Sequence, residues 1–221
     1  MPFRGGCPHR ARAWEWVQAS YAEAHPDWQL VEAPAPPGPW CKGAAVNPVI
    51  AASDAEIIVQ ADADVWADGL SAAVDAIVGG APWVVPFAEV HRLNEDATKA
   101  VLSGADWRRQ EDDLDQHPYP GVLGGGALVA RRETLLTAPL DLRFRGWGQE
   151  DLAQGAALRE LAGPPWRAPF PLLHLWHPPQ ERISRKHGSE ESWALWGRYK
   201  AAQGRPEAMR ALLEEGRCRP S

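Results

Sequence analysis

At 221 residues, with 45% hydrophobic and 24% charged residues, the chain suits one globular domain able to enclose a substrate cleft and is too short for a second full domain. Its formal charge is 23 minus 29, or −6, which argues against a general attraction to nucleic acid or an anionic membrane. No stretch is long and apolar enough to span a bilayer, and Met1-Pro2-Phe3-Arg4 lacks the apolar core of a signal peptide, so a cytoplasmic protein with no membrane partner is expected.

In chain order, residues 9–24 carry Trp14, Val17 and Tyr21 at helical spacing, and Pro26 ends the run. Residues 28–31 read as a short strand. Residues 42–52 are Ala-rich and helical, with Pro48 expected to bend the helix or mark a start near Asn47. The apolar strand Glu56-Ile57-Ile58-Val59-Gln60 runs straight into Ala61-Asp62-Ala63-Asp64, after which residues 70–78 resume helical periodicity. A strand at 83–86, a helix at 94–102 and a strand at 127–130 after Gly124-Gly125-Gly126 come next. They are followed by a helix at 150–161 and a last strand at 172–176. Residues 34–39 form a Pro-rich loop, and residues 103–121, with Glu111-Asp112-Asp113, are long enough for a lid or a solvated insertion. After Pro178 the chain turns basic and helical, with Pro206 and Gly216 placed to start and stop a final helix. This alternation predicts an α/β fold: a single mainly parallel sheet flanked by helices, with the site at the carboxyl ends of its strands.

Cys7, Cys41 and Cys218 are widely spaced and read as reduced thiols rather than a disulfide framework or zinc knuckle. There are 12 Trp against 4 Phe and 3 Tyr. Indole suits both the apolar faces and the hydroxyl rims of sugars, but Trp14, Trp83, Trp193 and Trp196 read as packing residues.

Three constellations carry chemistry. Asp62-Ala63-Asp64 sits at the end of an apolar strand, where two carboxylates pointing the same way could divide a ribose and a hard divalent cation such as Mn²⁺ or Mg²⁺ between them. Such a cation would neutralise charge growing on a departing diphosphate. Next, Phe144-Arg145-Gly146-Trp147-Gly148-Gln149-Glu150-Asp151 sets an indole between two glycines and two acids at a helix start, where the dipole favours an ionised base. A capping role would explain the acids but not the placement of Trp147. Finally, in His174-Leu175-Trp176-His177, strand alternation is read as placing both imidazoles on one face, so that either could ligate a metal opposite Asp64. His174 also suits a hydrogen-bonded core position.

Taken in order, these elements resemble a known family. Pro2-Phe3-Arg4 before a helix, Lys42 and Asn47, the acidic turn, the glycine run, residues 141–151 and the terminal histidine are similar to GT-A glycosyltransferases of the chondroitin-polymerase, β-1,4-galactosyltransferase and polypeptide N-acetylgalactosaminyltransferase type. The likeness runs from Pro2 to about Pro179, and Gly-Trp-Gly-x-Glu-Asp is its most specific piece. It implies a GT-A domain over residues 1–180 with a Rossmann-like nucleotide-binding half, and a C-terminal helical extension, residues 181–221, packed on the same domain. By resemblance, Pro2, Phe3 and Arg4 line the nucleotide pocket, with Arg10 and Lys42 near the base or diphosphate. Asp62 and Ala63 belong to the donor site, Asp62 holding the ribose, while Asp64 and His177 hold the metal. Trp147 and Gly148 border the donor sugar and acceptor, Glu150 orients sugar hydroxyls, and Asp151 deprotonates the acceptor, which implies inversion.

The resemblance further implies a nucleotide-sugar donor, a UDP sugar by preference, and an acceptor hydroxyl on a glycan, a protein or a hydroxymethylated DNA base. Relatives carry a fuller apolar strand before Pro-Phe-Arg, so the strand here is expected to be very short or the recorded start internal. A bacterial or phage member fits better than a secretory-pathway one. Competing readings are a nucleotidyltransferase, for which Gly5-Gly6-Cys7-Pro8 is a meagre signature, a non-catalytic carbohydrate-binding protein, and a metal hydrolase using Asp64, His174 and His177. The basic stretch Arg182, Arg185, Lys186 and His187 could contact phosphates or be merely solvated.

Overall fold

The computed structural model describes residues 1–3, 5–184 and 188–217, except for the side chains of residues 111–113. Arg4, Arg185, Lys186, His187 and Cys218, and the side chains of Glu111, Asp112 and Asp113, therefore lie outside the described residues.

The chain opens with β1 (Pro2–Phe3) and α1 (Pro8–Ala24), whose Pro8 stands in the first turn, where a missing N–H costs nothing. Trp14, Val17 and Tyr21 recur every three or four residues and, with Ala13, are buried. The expected strand at 28–31 does not form. Trp28 instead stacks on His25 at 3.9 Å, Trp28, Leu30 and Val31 stay exposed, and only β2 (Ala33–Pro34) pairs, in parallel, with β1. A two-residue β1 offers no ladder for a longer partner. Next, α2 (Lys42–Ala52) runs through Pro48 as one helix, while the Asn47 side chain bonds both the N–H and the C=O of Leu140.

The remaining elements alternate. β3 (Ile57–Ala61), β4 (Val65–Ala67), α3 (Leu70–Val78), β5 (Trp83–Val85), β6 (Glu89–Arg92) and α4 (Glu95–Leu102) lead to a 3₁₀ helix, Trp107–Asp113. After it come β7 (Ala127–Arg131), α5 (Arg132–Thr137), α6 (Glu150–Leu161), β8 (Trp166–Arg167), β9 (Pro171–His174), α7 (Glu190–Ala202) and α8 (Pro206–Arg217).

These strands do not make one mainly parallel sheet, and that expectation is corrected. Among the described residues there are three sheets: β1-β2, a four-stranded β3-β7-β5-β8, and a three-stranded β4-β9-β6. β7 runs antiparallel to both β3 and β5, and β9 antiparallel to β4; only β1·β2, β5·β8 and β6·β9 are parallel. The reason lies in residues 103–126. This segment is pinned along β6 by bridges Leu93↔Leu114 and Val90↔Tyr119 and by the buried Trp107, so it is a packed insertion. It delivers the chain to the carboxyl end of β3, where Ala127 pairs with Ala61, and β7 can only run back down. Trp83, Phe87, Leu128, Leu172 and Leu173 fill the core where the two larger sheets meet α3 and α6.

The C-terminal helices pack on α6. Their anchor is the buried Asp141, which accepts from Tyr199 Oη at 2.9 Å and from Arg143 Nη2 at 2.7 Å, while Arg143 also reaches Glu215 at 2.8 Å. Gly216 lies against the Asp141 carboxylate, leaving no room for a side chain. No helix of the described residues is long and apolar enough to cross a membrane.

Candidate active site

The acidic turn joins the two larger sheets. β3 ends at Ala61 and β4 begins at Val65, so residues 62–64 form a turn rather than an extended stretch, and the two carboxylates part. The Asp62 N–H donates to Gly126 O at 2.8 Å, and its carboxylate faces Lys42. Asp64 is buried and faces Arg10, His174 and His177.

The strand register assembles the second group. Val65 pairs with His174 across β4·β9, Arg92 pairs with His174 across β6·β9, and Leu175 N–H donates to Asp64 O at 2.9 Å. Residues three apart on a regular strand would face opposite ways, so alternation does not unite the imidazoles. They meet, with ring centroids 5.3 Å apart, because β9 stops at His174 and the chain bends before His177.

Each imidazole has its Nδ1 2.8 Å from a backbone carbonyl, Leu175 O for His174 and Pro178 O for His177. A carbonyl only accepts, so Nδ1 carries the proton and Nε2 presents a lone pair. Burial lowers the pKa of both, that of His174 to about 3, with Arg92 adding to the effect, so both rings are neutral. Nε2 of His177 then lies 3.3 Å from Asp64 Oδ2, and Nε2 of His174 lies 3.9 Å from Asp64 Oδ1. Lone pairs facing a carboxylate repel unless a cation stands among them, a place that the Arg10 guanidinium takes in part beside Asp64 and His177. The three ligand atoms lie within 4.8 Å of one another. One carboxylate, two neutral imidazoles and carbonyls fixing the outer ring nitrogens fit a divalent ion, and imidazole ligands suit a transition metal or zinc better than Mg²⁺. Arg10 also serves this group, with Nη1 3.3 Å from Asp64 Oδ2 and Nη2 3.1 Å from His177 Nε2.

The third group opens α6. Gly146, Gly148 and Gln149 all have positive φ, at 73°, 113° and 69°, and Gln149 is the only described residue besides glycine to do so. This left-handed backbone sets Trp147 out from the chain and starts α6 at Glu150. Gly188 packs directly on the Trp147 carbonyl, and Arg182 Cζ lies 4.8 Å from the Trp147 ring centroid. The expected glycine run also has its reason here: Gly124, at φ +82°, lies against the Asp151 carbonyl, and Gly125 lies beside Asp151 Oδ2. Glu150 Oε2 accepts from Gly148 N–H at 3.1 Å. Burial, aided by the neighbouring Asp151 charge and opposed by Lys42, raises the Glu150 pKa to about 8.

Lys42 links the groups. Its Nζ lies 2.6 Å from Asp62 Oδ1 and 2.7 Å from Asp151 Oδ1, with the side chain 5% exposed. Burial opposes its charge, but Asp151, Asp62 and Glu150 outweigh that and hold it protonated.

A cleft of about 850 Å³ is lined by Asp62, Trp147, Gly148, Glu150, Asp151 and His174 among others. Lys42 is joined to this wall by its ion pairs with Asp62 and Asp151; Arg10, Asp64 and His177 are outside the lining and adjoin it through His174, and Ala63 packs on the core. Pro2 and Phe3 are not in the lining. Phe3 stacks on Trp14 at 5.7 Å, and Pro2 borders a separate cavity of about 660 Å³ between α2, β3 and residues 28–33. Arg92, Asp115 and Tyr119 carry no signal in the sequence, and Trp193 and Trp196 read there as packing residues, yet all five line the cleft. The pairing of Trp193 with Trp196 three residues apart was the one available signal, and it is ambiguous with packing. Neither a scan against protein-family models nor a search of curated proteins returns a match to this chain.

Proposed function

We propose that the chain is a metal-dependent glycosyltransferase that moves a sugar from a nucleotide donor, a UDP sugar by resemblance, to an acceptor hydroxyl with inversion. One observation carries this reading: the short turn 62–64 places Asp64 with His174 and His177 as a metal-suited set and Asp62 on Lys42, which also holds Asp151, while Asp62, Glu150, Asp151 and His174 line one cleft. The resemblance in motif order supports it.

A divalent ion held by Asp64, His174 and His177 would supply positive charge to the departing diphosphate. Asp62, its carboxylate partly open to the cleft, accepts hydrogen bonds from ribose hydroxyls, and Arg10 adds positive charge on the same side. Lys42 fixes Asp151 by Oδ1, leaving Oδ2 to face the acceptor. As the acceptor oxygen bonds to the anomeric carbon, its proton passes to Asp151. The anomeric C–O bond breaks on the opposite face, and its electron pair leaves on the nucleoside diphosphate. Glu150, with its pKa raised to about 8, keeps its proton at neutral pH and can donate to a sugar oxygen.

Binding of a panel of nucleotide sugars, with and without Mn²⁺, tests the proposal by calorimetry. Metal-dependent binding is expected for at least one donor, and its absence across the panel would end the transferase reading. The paired imidazoles also suit a metal hydrolase. Release of free sugar with every acceptor offered, and no glycosylated product, would favour that alternative.

A further inference from the structure

We infer that the acceptor is a saccharide seated against Trp193 and Trp196 of α7, an inference that rests on the transferase reading above. α7 lies beyond residue 179, outside the stretch that resembles known transferases, so its contribution is this chain's own.

Ser189 caps α7 by accepting from Ser192 N–H at 3.1 Å, and the next two turns place Trp193 and Trp196 on one face. A neighbouring face buries Ser192, Leu195, Tyr199 and Ala202, and Trp196 packs partly on the core, whereas Trp193 is 39% exposed. Lys200 Nζ lies 5.3 Å and 5.9 Å from the two indole centroids. Both indoles line the same cleft as Trp147 and Asp151, so a ring resting on them has a hydroxyl within the chamber of the base.

The wall's charge narrows the acceptor class. Among the described lining residues, Asp62, Asp115 and Asp151 stand with the protonated Glu150 against the guanidiniums of Arg92 and Arg182; Arg182 is engaged over Trp147, and a further cation, Lys42, is held behind the wall by Asp62 and Asp151. A phosphodiester chain needs clustered cations along its path. Carboxylates instead accept hydrogen bonds from a polyhydroxylated ring whose apolar face rests on indole. A peptide acceptor would need partners for its amides, such as a strand edge. The lining offers ring faces and acids.

The test offers the protein Mn²⁺, its donor and three acceptor sets: methyl glycosides with short oligosaccharides, Ser/Thr peptides, and duplex DNA carrying hydroxymethylcytosine. Mass spectrometry identifies the product. A saccharide product is expected. Trp193→Ala and Trp196→Ala should each raise the acceptor KM about tenfold or more, with Trp193→Phe restoring part of the loss and the metal-dependent donor Kd unchanged. Transfer only to peptide or DNA, or an unchanged acceptor KM in both alanine variants, overturns the inference. Absence of metal-dependent donor binding in the parent is a separate result, which removes the transferase reading and the inference with it.

Discussion

The ammonium of Lys42 lies 2.7 Å from Asp151 Oδ1 and 2.6 Å from Asp62 Oδ1, so one buried cation ties the turn after β3 to the first turn of α6. Removing it leaves two carboxylates facing each other without a counter-charge. Lys42→Met should therefore destabilise the fold by about 3 kcal/mol, read as a lower urea midpoint, and Lys42→Arg should recover part of it. An unchanged midpoint in Lys42→Met would show the ion pairs to be incidental.

The metal set expected from resemblance was Asp64 with His177, whereas the geometry adds His174. Direct titration with Mn²⁺ should show His174→Ala weakening affinity by about 10–100-fold, comparable with the loss in His177→Ala. Wild-type affinity in His174→Ala would return that residue to the core role its sequence context also allowed.

Glu150 gives a pH signature. Its folded pKa of about 8 lies above its ordinary 4.5, so between those values the folded state keeps a proton that the unfolded chain releases. Its contribution to stability is full below the lower value and is lost as pH rises through the higher one. Gln cannot ionise. Glu150→Gln should thus gain on the parent from about pH 5 to about pH 8, by about 1–3 kcal/mol once partial exposure is allowed for. Denaturant midpoints for both proteins at the two pH values check this, and a constant difference would contradict it.

Asp141 anchors the C-terminal helices. Asp141→Ala takes the buried partner from the Tyr199 hydroxyl and leaves the Arg143 guanidinium only Glu215 and a backbone carbonyl, and should cost about 3 kcal/mol; Tyr199→Phe removes one hydrogen bond and should cost about 1 kcal/mol. Urea unfolding followed by tryptophan fluorescence separates these outcomes. Equal midpoints for all three proteins would mean that α7 and α8 are held by apolar contacts alone.

Local signals in the sequence were strong for the longer elements. The helices at Pro8–Ala24, Leu70–Val78 and Glu150–Leu161 and the strand Ile57–Ala61 form close to where the sequence placed them. Sheet direction was not legible, because whether β7 runs up or down depends on where residues 103–126 deliver the chain. The short β4, β6 and β8 have too few residues to show a period. Asp62, Asp64, Glu150, Asp151 and His177 were visible from their strand-end and helix-start positions. The role of Lys42 as a link was not, since its partners stand 20 and 109 residues away in sequence. Trp193 and Trp196 were hidden by a spacing that serves packing equally well.

The most direct test compares the parent with Asp151→Asn in the presence of Mn²⁺ and a bound nucleotide sugar, measuring nucleoside diphosphate release and glycosylated product by mass spectrometry. The account predicts unchanged metal-dependent donor binding with product formation reduced about 100-fold or more. Equal product from the two proteins would contradict it by removing Asp151 as the base.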